Sequence, residues 1–68
     1  MWNFEKLADV GNKVIKDVLF LEGVVGIGVA DNKLVVYITE ESAQLKESVT
    51  KLIQKVDKAT PIEYSFKP

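Results

Sequence analysis

Apolar and polar positions follow two rhythms along this chain, and the changes of rhythm mark five elements. From Asn3 to about Phe20 the residues Phe4, Leu7, Ala8, Gly11, Val14, Ile15 and Val18 recur at three-four spacing, with Glu5, Lys6, Asp9, Lys13, Lys16 and Asp17 between them. That spacing predicts an amphipathic helix, capped by Asn3 and with Glu5 suited to its first turn. Gly11 costs about 1 kcal/mol of helix propensity against alanine, so its place in the stripe predicts a close backbone contact. Leu19, Phe20 and Leu21 thicken the stripe before Glu22-Gly23 breaks it.

Two β-branched runs follow, Val24–Ala30 and Leu34–Thr39, separated by Asp31-Asn32-Lys33. They read as a hairpin with a tight turn. With Asp31 and Asn32 as turn residues, Val29 faces Leu34, Ile27 faces Val36 and Val25 faces Ile38; a turn at Asn32-Lys33 slides the register by two and keeps the same face inward. Only an odd-length loop or a bulge reverses it. The expected core face is therefore Val25, Ile27, Val29, Leu34, Val36 and Ile38. The opposite face carries Val24, Gly26, Gly28 and Ala30 beside Lys33, Val35, Tyr37 and Thr39.

Ser42 can cap a second helix, with Glu40 and Glu41 near its positive end. Leu45, Val49, Leu52, Ile53 and Val56 form its apolar stripe, while Lys46, Glu47, Lys51, Gln54, Lys55 and Lys58 face out. Thr60–Phe66 alternates as a last strand, with Ile62, Tyr64 and Phe66 on one side. The order α-β-β-α-β over residues 1–68 predicts one α+β domain: a three-stranded mixed sheet with two helices packed on one face. The third strand is expected parallel to the second if the two are neighbours, through a right-handed crossover.

Composition narrows the function classes. The chain has 68 residues, 47% of them hydrophobic, with a formal net charge of −1. A domain this small buries only about 60% of its unfolded surface, so tight packing or self-association must supply stability where no disulfide can. The chain contains neither cysteine nor histidine, which removes the usual transition-metal ligands and nucleophile-base triads. No cofactor and no reaction are assigned, and the cytoplasm is the expected compartment. No apolar run approaches a membrane span or an export signal. The basic residues are all lysine, which disfavours bidentate phosphate or guanine recognition. Gly23, Gly26 and Gly28 space out as G-x-x-G-x-G, yet they follow a helix and lie in a strand, where glycine serves twist or close packing rather than a phosphate cradle. Asp31-Asn32-Lys33 is a turn without the further ligands of a calcium loop.

The run Gly23–Val29, then Leu34–Ile38, then Pro61-Ile62-Glu63-Tyr64 resembles the small α/β segment that precedes the catalytic part of some trypsin-like proteases in bacteria and plants. The resemblance implies an accessory α/β module with no catalytic residue carried over. The expected function is a protein-interaction module, self-associating or binding another protein through the uncovered sheet face or an edge strand. Its expected contact residues are Trp2, Val24, Gly26, Gly28, Val35 and Tyr37, with the glycines permitting close approach. Trp2 has a second reading as a lid on the core edge, and Tyr37 one as a cross-strand pair. The alternatives are weak nucleic-acid binding through Lys46, Lys51, Lys55 and Lys58, or a small-molecule site between helices and sheet.

Overall fold

The computed structural model describes residues 2–67. Its elements follow the expected order: α1 (Phe4–Leu19), β1 (Val24–Ala30), β2 (Lys33–Ile38), α2 (Ala43–Val56) and β3 (Ile62–Phe66). They form an α+β fold in which a mixed sheet, ordered β1-β2-β3, carries both helices on one face. α1 starts where the Asn3 side chain accepts the Lys6 N–H at 2.8 Å, and α2 where the Ser42 hydroxyl accepts the Leu45 N–H at 3.2 Å. Each cap satisfies a donor that the helix itself leaves unpaired.

The hairpin closes at Asp31 and Asn32, whose φ angles of 52° and 59° are both left-handed. A two-residue turn between twisted strands requires this, and Asp and Asn tolerate it better than most side chains. The turn pairs Ala30 with Lys33, Val29 with Leu34 and Ile27 with Val36. On its other side β2 pairs with β3 in parallel, Leu34 opposite Ile62 and Ile38 opposite Phe66. The Leu34 N–H donates to the Pro61 carbonyl at 2.8 Å and the Lys67 N–H to the Ile38 carbonyl at 2.7 Å.

The core is centred on β2, the one strand flanked on both sides. Leu34, Val36 and Ile38 are buried beneath Leu7, Val10, Val14 and Val18 of α1 and Leu45, Val49 and Ile53 of α2. Gly11 makes the close contact expected of it: a Cβ there would lie 3.3 Å from Cδ1 of Leu34. Val10, absent from the expected stripe, is buried as well.

Several side chains depart from expectation. A β-bulge between Val24 and Gly26 shifts the register, so that Val24 and not Val25 lies opposite Ile38. The extra residue turns Val24 into the core at 8% exposure and Val25 out at 56%. Phe4, assigned to the buried stripe, is 68% exposed, and Phe20, beyond the last turn of α1, is 91% exposed. Leu19, Val56 and Phe66, each the last residue of its element, are also exposed.

Tyr64 fastens β3 to α2. Its hydroxyl donates to the Lys46 carbonyl at 2.8 Å and accepts from the Thr50 hydroxyl at 2.5 Å. Burial raises the phenol above the ordinary tyrosine value, against smaller lowering effects of the Thr50 hydrogen bond and the Lys46 charge. The folded chain thus holds this proton more tightly than the unfolded chain. Its contribution is complete below the unfolded pKa of about 10 and is lost as pH rises through the higher folded value. Tyr64→Phe is expected to cost about 1 kcal/mol in urea unfolding at neutral pH. The difference from the parent chain should narrow at strongly alkaline pH; a difference that stays constant contradicts the role of the hydroxyl.

Gly23 ends the α1–β1 connection with φ 99°, and a Cβ there would lie 2.9 Å from Cδ2 of Leu45. Its carbonyl accepts the Thr39 N–H at 2.8 Å, which ties this turn to the end of β2. Gly23→Ala combines backbone strain with a clash, and a loss of more than about 1 kcal/mol is expected in urea unfolding.

Candidate interaction surface

The uncovered sheet face and the free edges are the two surfaces on which association was expected, and the structure treats them differently. On the open face the Tyr37 ring lies over β1: Cβ atoms built at Gly26 and Gly28 would each come within 3.6 Å of it. The space left by the glycines is thus filled by Tyr37 of the same chain and not held open for a partner. This is the sheet analogue of an aromatic side chain covering a strand glycine. The Lys67 ammonium sits 5.5 Å from the centre of the same ring. Val35 also points to this face, yet it is only 4% exposed. Its neighbours there are Lys33 and Tyr37 along β2 and Glu63 across on β3, with Lys33 and Glu63 joined at 3.7 Å. Val24 lies on the other face, in the core, through the bulge. Of the expected contact residues, only Gly26, Gly28, Val35 and Tyr37 share this face, with Tyr37 lying over both glycines. Trp2 is half-buried against the core edge, with the Lys6 ammonium 4.8 Å from its ring centre.

The edges follow from strand order. In a two-residue hairpin Ala30 and Lys33 exchange the closing hydrogen bonds, so by alternation Gly28 and Val35 also bond to each other. The backbone groups of Leu34, which turn to β3, confirm this alternation. Ile27 and Val29 consequently point their N–H and C=O groups away from the sheet. Their side chains face the helix side and stay half-buried.

There they line an open groove of about 200 Å³ between β1 and α1, whose helical wall is Phe4, Ala8, Gly11, Asn12 and Ile15. Asn12 is the one polar side chain of that lining. At about 100° per residue, the apolar arc of α1 from Val10 round to Leu19 spans roughly 180°. The core covers the half holding Leu7, Val10, Val14 and Val18, and the half holding Phe4, Ala8, Ile15 and Leu19 borders the groove or solvent.

The two edges also differ in protection. β3 carries Glu63 inside it, with Pro61 and Lys67 at its ends, devices that discourage further pairing. β1 has no charged residue and no proline from Val24 to Ala30, and its bulge leaves Gly26–Ala30 as a regular five-residue edge. These signals were readable in the sequence as the uncharged β1 run and the wide arc of α1, but they point to an edge only once strand order is known.

The remaining chemistry is sparse. Lys46 pairs with Glu41 at 2.8 Å and Lys51 with Glu47 at 3.1 Å, so acidic partners interrupt the lysine run on α2. Among the described residues no cluster of acidic side chains could hold a metal ion, and no helix is long and apolar enough to cross a membrane. Comparison with family models, with curated proteins and with solved structures gives no match to this chain, which leaves its own surfaces as the ground for a functional reading.

Tyr37→Ala should uncover Gly26 and Gly28 and lower stability by about 1 kcal/mol in urea unfolding. Its association state, measured by light scattering after size exclusion, should not change. Loss of association in this variant would place the contact on the open face instead.

Proposed function

We propose that this chain is a non-enzymatic protein-interaction module that docks an extended segment by strand addition along the free edge of β1. The observation that carries this reading is the coincidence at Ile27 and Val29 of two features. Their backbone groups point outward without a partner strand, and their side chains form the floor of an apolar groove. Strand addition uses both together: main-chain hydrogen bonds supply affinity, and pockets for alternate side chains supply selectivity. An added strand would continue the sheet past β1 and set its own alternate residues against Phe4, Ala8 and Ile15.

A small-molecule role fits less well. The groove is smaller than the roughly 300–1,000 Å³ of ligand pockets, lies open along the strand and has one polar side chain to orient a ligand. Nucleic-acid binding is disfavoured by the ion pairs that engage Lys46 and Lys51 and by a net charge of −1.

The reading is tested by titrating the isotope-labelled protein with a soluble blocked peptide of alternating valine and threonine, flanked by lysines. The expected result is selective shifts and slowed hydrogen exchange at the Ile27 and Val29 amides, with neighbouring shifts at Phe4 and Ile15. Shifts confined to Tyr37 and Ser65, or to β3, would contradict it, as would no shift at β1 up to millimolar peptide.

A further inference from the structure

We propose that the strand received by β1 is β1 of a second copy of this chain, in a two-fold antiparallel pair that joins two sheets into one of six strands. The proposal rests on strand addition at β1 and names its occupant. Three features of the edge make it self-complementary.

The first is the sequence of the regular segment. Gly26-Ile27-Gly28-Val29-Ala30 is bounded by the bulge on one side and the turn on the other, and it reads nearly the same in both directions about Gly28. A two-fold axis at Gly28 sets Ile27 opposite Val29 of the second copy, and these are the two residues whose backbone groups point outward. On the helix side this makes two contacts between β-branched side chains. On the open side it brings together only Gly26, Gly28 and Ala30, which offer nothing to clash.

The second feature is spacing. α1 lies over the line between β1 and β2, since it walls the groove beside Ile27 and Val29 while Gly11 touches Leu34 of β2. With strands about 4.8 Å apart, the axis passes about 2.4 Å from β1 and about 7.2 Å from β2, so α1 stands about 5 Å from it. Two copies of α1 then run side by side about 10 Å apart, the ordinary distance for packed helices. The groove closes, and the exposed Phe4 of each copy lies toward Ile15 of the other.

The third is charge. Glu5 and Lys16 flank the apolar seam of α1 near its two ends, and the ion pairs among the described residues use neither. An antiparallel pair of α1 helices brings Glu5 of each copy to Lys16 of the other. A parallel arrangement would set like charges together.

Sedimentation equilibrium from micromolar to millimolar protein tests this, with circular dichroism to check the fold of each variant. The parent chain should rise from the monomer mass to twice that mass. Phe4→Glu, at an exposed position, and Val29→Lys should each weaken the dimer about tenfold or more. Lys16→Glu should weaken it about threefold, and the reversed pair Glu5→Lys with Lys16→Glu should recover the loss. A chain that stays monomeric throughout overturns the second-copy proposal: if the alternating valine-threonine peptide still shifts Ile27 and Val29, strand addition stands with a different partner, and if it does not, both readings fall. A dimer indifferent to Phe4→Glu and Val29→Lys also overturns it, because the contact then lies elsewhere.

Discussion

The parallel pairing of β3 with β2 is the constraint on which the rest of the molecule depends. The hairpin alone would leave β2 with an open side, and the α2 crossover returns the chain to fill it. β2 becomes the central strand, its Leu34, Val36 and Ile38 become the centre of the core, and β1 is left at the edge. Tyr64 holds that arrangement from above, since its hydroxyl joins β3 to two positions one turn apart on α2. Two edges remain open, and of these β3 carries Glu63 with Pro61 and Lys67 at its ends, whereas β1 carries neither charge nor proline.

A chain of 68 residues has little polypeptide to spend on coverage, and the structure shows where it is used. The helices cover one sheet face. Tyr37, with Lys67 beside it, covers the glycines on the other, where Val35 is buried and Lys33 pairs with Glu63. The groove at β1 and the adjoining side of α1 stay open, as do Phe20, Val25 and Phe66 near the ends of their elements. Small domains have a low ratio of buried to exposed surface, so an uncharged edge beside an apolar groove is costly to keep in water. Association at that edge would remove the exposure and add stability at once, which ties the proposed role to the folding problem of the chain.

The sequence announces the elements well because each carries its own local signal. Asn3 and Ser42 mark helix starts, Gly23 marks a break, and Asp31-Asn32 marks a turn that needs two left-handed residues. The register of the hairpin away from Gly23 follows from that turn, and Ile27, Val29, Leu34 and Val36 face the side expected. What period-two alternation cannot show is an inserted residue. The bulge at Val24–Gly26 exchanges the roles of Val24 and Val25; Gly26 is a residue type that permits it, but a strand glycine equally serves twist or close packing. The filling of the open face is hidden from the sequence for a related reason. Small residues on a strand look like room for a visitor, whereas the visitor at Gly26 and Gly28 is Tyr37, two strand positions that meet only through pairing. Phe4 falls on the apolar stripe yet is exposed, because helical spacing gives a face but not the width of sheet beneath it.

Amide hydrogen exchange, measured residue by residue at increasing protein concentration, decides whether this protein meets its partner along β1. The Ile27 and Val29 amides are expected to exchange freely in dilute solution and become protected as concentration rises, while Gly28 and Val35, already paired, change little. Rates at Ile27 and Val29 that stay fast at every concentration, with new protection appearing on β3 or nowhere, would contradict it.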